Sequence, residues 1–502
     1  SGSTNEEVWH NGAWAGNPNA TFLTVCNGYI PGDLNGDGDN TDLGEPGYQP
    51  DPRDAFIGED MALNFFPFLC LANPTGTGTK AEVTFYDEAG EYLRIYRDMR
   101  ANSRITLDLN ANPCLQNKNL AIRVKSLDPA VPLLAERPMY FRYQGWMDGG
   151  SDAFGATGDN STSWYFAEGY TSDSFDEYIC LANFGAHAAN GKMTLYREGA
   201  GPIEVPISVP AGARQTHAVD GYVQGNVSVK VETDTPIVAE RSMYFRYFSR
   251  GGYYCDGGHT KRGLTELGES WYLAEGHVSD SFEEWVLLVN PNPQAAEVEV
   301  SYYTPAGKQP ARRYTIPPNS RHTVFVNDAF STPTDVSVGV EATNGVPIAL
   351  ERSMYFSYNG WADDGHVSPG VTAPGKEWYF AEGSTYNGIN EYVLLVNPGA
   401  EPATVTATYL LGADQGTHTA TYRVGANSRV TVNVNAELAA LGHPTEVGLK
   451  LDSTEPVVAE RAMYFDMGRA YDGLESIRGG HVSLGSAQPA VEWSFAEAYT
   501  GR

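Results

Sequence analysis

One seven-residue word, written four times, governs what this chain can fold into. It reads Ala135-Glu136-Arg137-Pro138-Met139-Tyr140-Phe141, then Ala239-Glu240-Arg241-Ser242-Met243-Tyr244-Phe245. It returns as Leu350-Glu351-Arg352-Ser353-Met354-Tyr355-Phe356 and as Ala459-Glu460-Arg461-Ala462-Met463-Tyr464-Phe465. Its glutamates lie 104, 111 and 109 residues apart. A period of that length, with strand signals in every unit, means tandem domains and not one large core. Propeller blades run to about half that length, which argues against a propeller.

Read as a strand, the word alternates its faces. Ile237, Ala239, Arg241, Met243 and Phe245 share one side, and Glu240, Ser242 and Tyr244 share the other. The first side is apolar except for the arginine in its middle. A buried guanidinium without a partner is costly, so each copy is expected to meet a carboxylate or backbone carbonyls. An anion or sugar site at that arginine is the competing reading, but a feature repeated in every unit is better explained as scaffolding.

A second word supplies the carboxylates. It runs Trp164-Tyr165-Phe166-Ala167-Glu168-Gly169, Trp271-Tyr272-Leu273-Ala274-Glu275-Gly276, Trp378-Tyr379-Phe380-Ala381-Glu382-Gly383 and, at the C-terminus, Trp493-Ser494-Phe495-Ala496-Glu497-Ala498. Arginine and glutamate alternate along the chain, so the simplest pairing is Arg137–Glu168, Arg241–Glu275, Arg352–Glu382 and Arg461–Glu497. The alternative pairs each glutamate with the later arginine and leaves Glu497 over. Near the front only Leu23 to Gly28 is comparable, with Asn27 in place of the glutamate.

Between the words, each unit shows further short alternating segments bounded by Gly, Asn, Asp or Pro. Helical periodicity is missing except over 436–441. The expected fold is all-β: four tandem immunoglobulin-like β-sandwiches over residues 1–150, 160–258, 268–368 and 375–482, with an extra strand at 491–502. That last strand opens a unit that has no continuation. Trp493, Phe495 and Glu497 must dock somewhere, since an unpaired apolar strand is a template for association. Either it closes the fourth sandwich, or it enters the first sandwich of another copy and builds a head-to-tail filament.

The irregular first sixty residues hold the most specific chemical pattern. Asp33, Asn35, Asp37 and Asp39 stand at alternate positions, Gly38 permits a sharp turn, and Asp42 follows. This resembles the calcium loops of dockerins and thrombospondin-type repeats, which implies a structural calcium ion. Position twelve is Gly44 and not the bidentate glutamate of a helix-loop-helix hand, so Glu45, Asp42 or a distant carboxylate must close the shell. The two repeated words resemble those of domains of unassigned function in large secreted bacterial repeat proteins. That resemblance implies an extracellular or cell-surface setting and brings no active residues with it.

Acidic residues outnumber basic ones 62 to 33, a net charge of −29, which disfavours nucleic acid and anionic membranes as partners. The sequence holds no apolar run long enough to span a membrane and no hydrophobic leader at Ser1, so Ser1 is read as a mature terminus. Of the five cysteines, Cys70 and Cys180 sit at matching strand positions as buried apolar residues, and Cys26 with Cys114 is the expected disulfide. Asp and His in Cys255-Asp256-Gly257-Gly258-His259 and Trp361-Ala362-Asp363-Asp364-Gly365-His366 suggest metal ligands or a catalytic pair. The first copy has Ser151 there, and a tight turn with a capping Asp is the expected reading.

Carboxylate pairs Glu168/Glu177, Glu275/Glu284 and Glu382/Glu391 invite a glycosidase reading. They recur with the strands and mark no single cleft, so no catalytic residue is assigned and no enzyme activity is expected. The functional expectation is a secreted structural subunit of a homopolymer or cell-surface assembly. A glycan- or envelope-binding array is the alternative.

Overall fold

A computed structural model describes residues 65–157, 161–386, 388–412, 415–467 and 476–501. Its strands are almost all antiparallel and pack face to face, as the all-β sandwich reading requires. Asp33, Asn35, Asp37, Asp39, Asp42, Cys26 and the segment 23–28 lie outside the described residues. Cys114 is disulfide-bonded, whereas Cys70, Cys180 and Cys255 are buried free thiols.

Each repeat builds an outer and an inner sheet. In the second repeat the long strand Gly225–Phe248 runs through both. Its first half pairs with Ala189–Arg197 and with the tryptophan strand Ser161–Phe166. Its second half, which carries the seven-residue word, pairs with Phe175–Asn183 and with Tyr254–Arg262. The strands equivalent to Tyr254–Arg262 are Met147–Phe154, Ala362–Pro369 and Arg478–Leu484. We call these four the axial strands. Each lies against the next, and the last lies against the first, so the repeats close into a ring about an approximate fourfold axis.

Ring closure changes the meaning of the word's alternation. Ala239, Arg241, Met243 and Phe245 are buried, as alternation predicts, but so are Glu240, Ser242 and Tyr244. The front of each inner sheet packs on the back of the next inner sheet, so neither face meets water.

The Asp–Gly–His segments are not tight turns. They are the axial strands themselves, and His259, His366 and His481 are each 1% exposed. Glycine density there reflects close approach of four backbones, which a sequence reading takes for turn chemistry.

The tail also departs from both expectations. Glu492–Tyr499 pairs with Asn119–Ser126 in the first repeat of its own chain, with Trp493 opposite Val124 and Phe495 opposite Ile122. Trp164 opposite Val231, Trp271 opposite Val340 and Trp378 opposite Leu451 show the same register. Every tryptophan strand therefore serves the repeat that follows it in the ring, and the last one serves the first. The Trp493 indole donates to the Leu133 carbonyl at 2.9 Å, as Trp164 does to Ile237 at 3.0 Å and Trp378 to Val457 at 2.9 Å. With both strands on one chain, pairing is intramolecular, at an effective concentration that a second copy does not match.

Candidate functional site: the junctions between repeats

Each junction buries a cluster of two arginines and two glutamates. At the first, Arg137 Nη1 lies 3.2 Å from Glu240 Oε2, and Arg214 Nη2 lies 2.7 Å from Glu497 Oε2. At the second, Arg241 meets Glu351 at 2.8 Å, and Arg321 faces Glu168 electrostatically. At the third, Arg352 lies 3.1 Å from Glu460 and 3.3 Å from Glu275, with Arg429 beside them. At the fourth, Arg461 lies 3.2 Å from Glu136 and 3.0 Å from Glu382, with Arg104 acting on Glu382, and a further buried carboxylate, Asp152, meets Arg461 at 2.6 Å.

The sequence-based pairing is thus corrected. Every motif arginine meets the motif glutamate of the next repeat, and the pairs Arg137–Glu168, Arg241–Glu275, Arg352–Glu382 and Arg461–Glu497 do not form. The alternative arrangement is present in part, at Arg352–Glu275 and Arg461–Glu382, and Arg241 donates to the Glu168 backbone carbonyl at 2.7 Å. The left-over Glu497 is held by Arg214, and its N–H donates to Glu240 at 2.9 Å. Pairing arginines with carboxylates in one dry site offsets part of the desolvation that each would suffer alone.

Sequence reading missed the second arginine, although it repeats as Asn102-Ser103-Arg104, Gly212-Ala213-Arg214, Asn319-Ser320-Arg321 and Asn427-Ser428-Arg429. The residue two before each arginine has positive φ, between 48° and 64°, which Asn and Gly tolerate. That turn delivers the arginine into the junction.

Glu177, Glu284 and Glu391 stand beside these clusters, fully buried. Burial pushes all three carboxyls up, Glu391 to about 8, against the pull of the nearby arginine. Burial also pushes Glu275 and Glu382 up to about 7.

Clefts open over two of the clusters, on opposite sides of the ring. The first, about 660 Å³, is lined by Tyr143, Tyr178, Tyr244, Glu497 and Arg142. The second, about 560 Å³, is lined by Tyr358, Tyr392, Tyr464, Glu275 and Arg429. In the first, the rings of Tyr143 and Tyr244 stack at 4.1 Å and the hydroxyls of Tyr143 and Tyr178 are 3.0 Å apart. In the second, Tyr358 and Tyr464 stack at 4.0 Å, with 2.9 Å between the hydroxyls of Tyr358 and Tyr392. At the second junction Trp285 replaces the third tyrosine and Arg250 lies over it, 4.8 Å from the ring centroid. At the fourth, Phe68 and Met467 occupy the equivalent places.

The clefts differ at their edges. Beside the second, His277 Nδ1 lies 2.8 Å from Asp335, which Arg429 also meets at 2.8 Å. These partners hold the Asp335 carboxyl down at about 2, against the effect of burial. Beside the first, the Tyr143 hydroxyl donates to Asp176 at 2.8 Å.

Among the described residues, no group of three or more His, Cys, Asp or Glu is placed to hold a metal ion. No described helix is long and apolar enough to cross a membrane.

No family model matches the chain, and no curated protein matches it. Among solved structures, it is similar to Thermotoga maritima 1070 at 20% identity, over 21% of this chain and 96% of that one, with a TM-score of 0.19. It is similar to the Anabaena sensory rhodopsin transducer at 24% identity, over 16% and 79%, with a TM-score of 0.15. A tetra-tandem repeat from the extending region of a large adhesion protein matches at 10% identity, over 82% and 93%, with a TM-score of 0.10.

Proposed function

We propose that this chain is an extracellular, cell-surface binding protein whose ring presents its two tyrosine-walled clefts to a glycan. One observation carries the reading. Opposite junctions, built from segments more than two hundred residues apart, share a stacked tyrosine pair and a third tyrosine hydroxyl above a buried glutamate. Stacked rings offer an apolar face to the C–H face of a sugar, while hydroxyls and carboxylates at the rim take its hydroxyl groups. The surface setting is supported by the acidic composition and by the resemblance of the repeated words. Calcium at Asp33, Asn35, Asp37, Asp39 and Asp42 is part of this proposal.

The filament reading has less support. Strand donation requires a free tail, and this tail is paired within its own chain. Within the proposal the clefts bind without catalysing, and their glutamates are structural: Glu275 is ion-paired to Arg352 and Glu497 to Arg214.

The test is a glycan array on the full chain, followed by calorimetric titration of any ligand found. Tyr358→Ala and Tyr143→Ala are each expected to remove one class of sites or weaken it about tenfold. An array without hits, or affinity unmoved by both substitutions, refutes the proposal.

A further inference from the structure

The four axial strands come closest at Gly149, Gly257, Asp364 and Gly479. A Cβ on Gly149 would stand 3.2 Å from the Gly257 Cα, and one on Gly479 would stand 3.1 Å from the Gly149 Cα. Three of these equivalent positions are bare backbone. The fourth carries Asp364, which is fully buried, and its carboxylate oxygens fill the space that a Cβ at Gly257 or Gly479 would take.

The donors around that carboxylate come from every repeat. Oδ2 accepts from the Gly480 N–H at 3.0 Å, and Oδ1 accepts from the Gly365 N–H at 2.7 Å. The N–H groups of Gly258 and Gly150 bond to it as well. Converging backbone N–H groups form a concavity that binds anions. We propose that the ring's glycine N–H groups form an axial binding site for one small carboxylate, which this chain fills from within using Asp364.

Burial raises the Asp364 carboxyl well above the usual carboxylate range, and the four N–H groups oppose that rise. An ionised carboxylate only accepts hydrogen bonds, so it is the form that four donors satisfy. A site made by four related strands is indifferent to which repeat supplies the anion, and to whether the anion is tethered at all. Both consequences are testable in the full-length chain.

The first experiment measures thermal unfolding of Asp364→Gly against sodium formate, with the parent chain titrated in parallel. The variant is expected to melt lower than the parent and to rise with the logarithm of formate concentration beyond any salt effect on the parent. The second moves the carboxylate to another repeat. Once Asp364 is glycine, the nearest remaining neighbour of a Cβ at Gly257 is the residue-364 Cα at 3.4 Å, an ordinary contact. Asp364→Gly with Gly257→Asp is therefore expected to regain the parental melting temperature, in formate or without it. If Asp364→Gly folds poorly, recovery of soluble chain on refolding gives the same readout. The proposal is overturned if Asp364→Gly alone melts with the parent, or if neither formate nor the relocated carboxylate restores it.

Discussion

Arg461 and Glu136 are 325 residues apart in sequence, and their side chains meet at 3.2 Å with no exposure to water. This contact joins the last repeat to the first. It repeats, in the same geometry, the contacts that join each repeat to the next. The seam where the chain's ends meet therefore carries the same arginine–glutamate pair as the other three junctions.

Removing one motif arginine should be costly at any junction. Arg241→Met leaves Glu351 buried without its cation, a loss expected at about 3–5 kcal/mol in chemical denaturation. Replacing both partners, Arg241→Met with Glu351→Leu, should recover most of it. A neutral or stabilising Arg241→Met would show that the pair does not maintain this junction.

Deleting residues 491–502 should open the seam. Trp493 and Phe495 pack among Leu69, Leu71, Ile122 and Val124, so the first repeat loses core and its strand Asn119–Ser126 becomes a free edge. We expect a lower first unfolding transition in calorimetry, together with concentration-dependent mass in light scattering. Trp493→Ala, which keeps the backbone pairing, should cost about 3–5 kcal/mol without oligomers. An unchanged first transition after deletion would contradict the seam.

Stability should peak at mildly acidic pH. Glu391 has its carboxyl raised from 4.5 to about 8, so the folded chain holds a proton that the unfolded chain releases, and stability falls as pH rises across that window. Burial and the Lys261 and Arg461 charges hold His481 down at about 3, against the pull of Asp152, whereas an unfolded histidine titrates near 6.5. Stability is therefore also lost as pH falls from 6.5 toward 3. Each group contributes a slope of about 1.4 kcal/mol per pH unit within its window. Melting temperatures from pH 3 to 9 should show Glu391→Gln flattening the alkaline side. His481→Ser, copying Ser151, should flatten the acidic side.

Calcium removal tests the acidic loop. A chelator is expected to lower the melting of the parent chain, while a chain with Asp33→Ala and Asp37→Ala should no longer respond. At one hundred times the dissociation constant, bound calcium adds about 2.7 kcal/mol. An identical melting profile with and without chelator, and no calcium by elemental analysis, would remove the ion from the proposal.

The sequence alone determined the repeat, the short strands and the need of each motif arginine for a carboxylate, because strand alternation and the cost of burying charge are local properties that every copy displays. Which carboxylate, and from which repeat, was not legible. Glu168, Glu240 and Glu351 all stand in repeated strand words, and only the stacking of one inner sheet on the next chooses among them. The axial strands were misread for a related reason. Glycines at 149, 257 and 479 look like turn residues in isolation, and their role appears only where four backbones meet. Nor could the tail's destination be read from its residues, since Trp493 suits any outer sheet with an open edge. Tertiary structure decided it, because ring closure brings that strand to the vacant edge beside Asn119–Ser126 on its own chain.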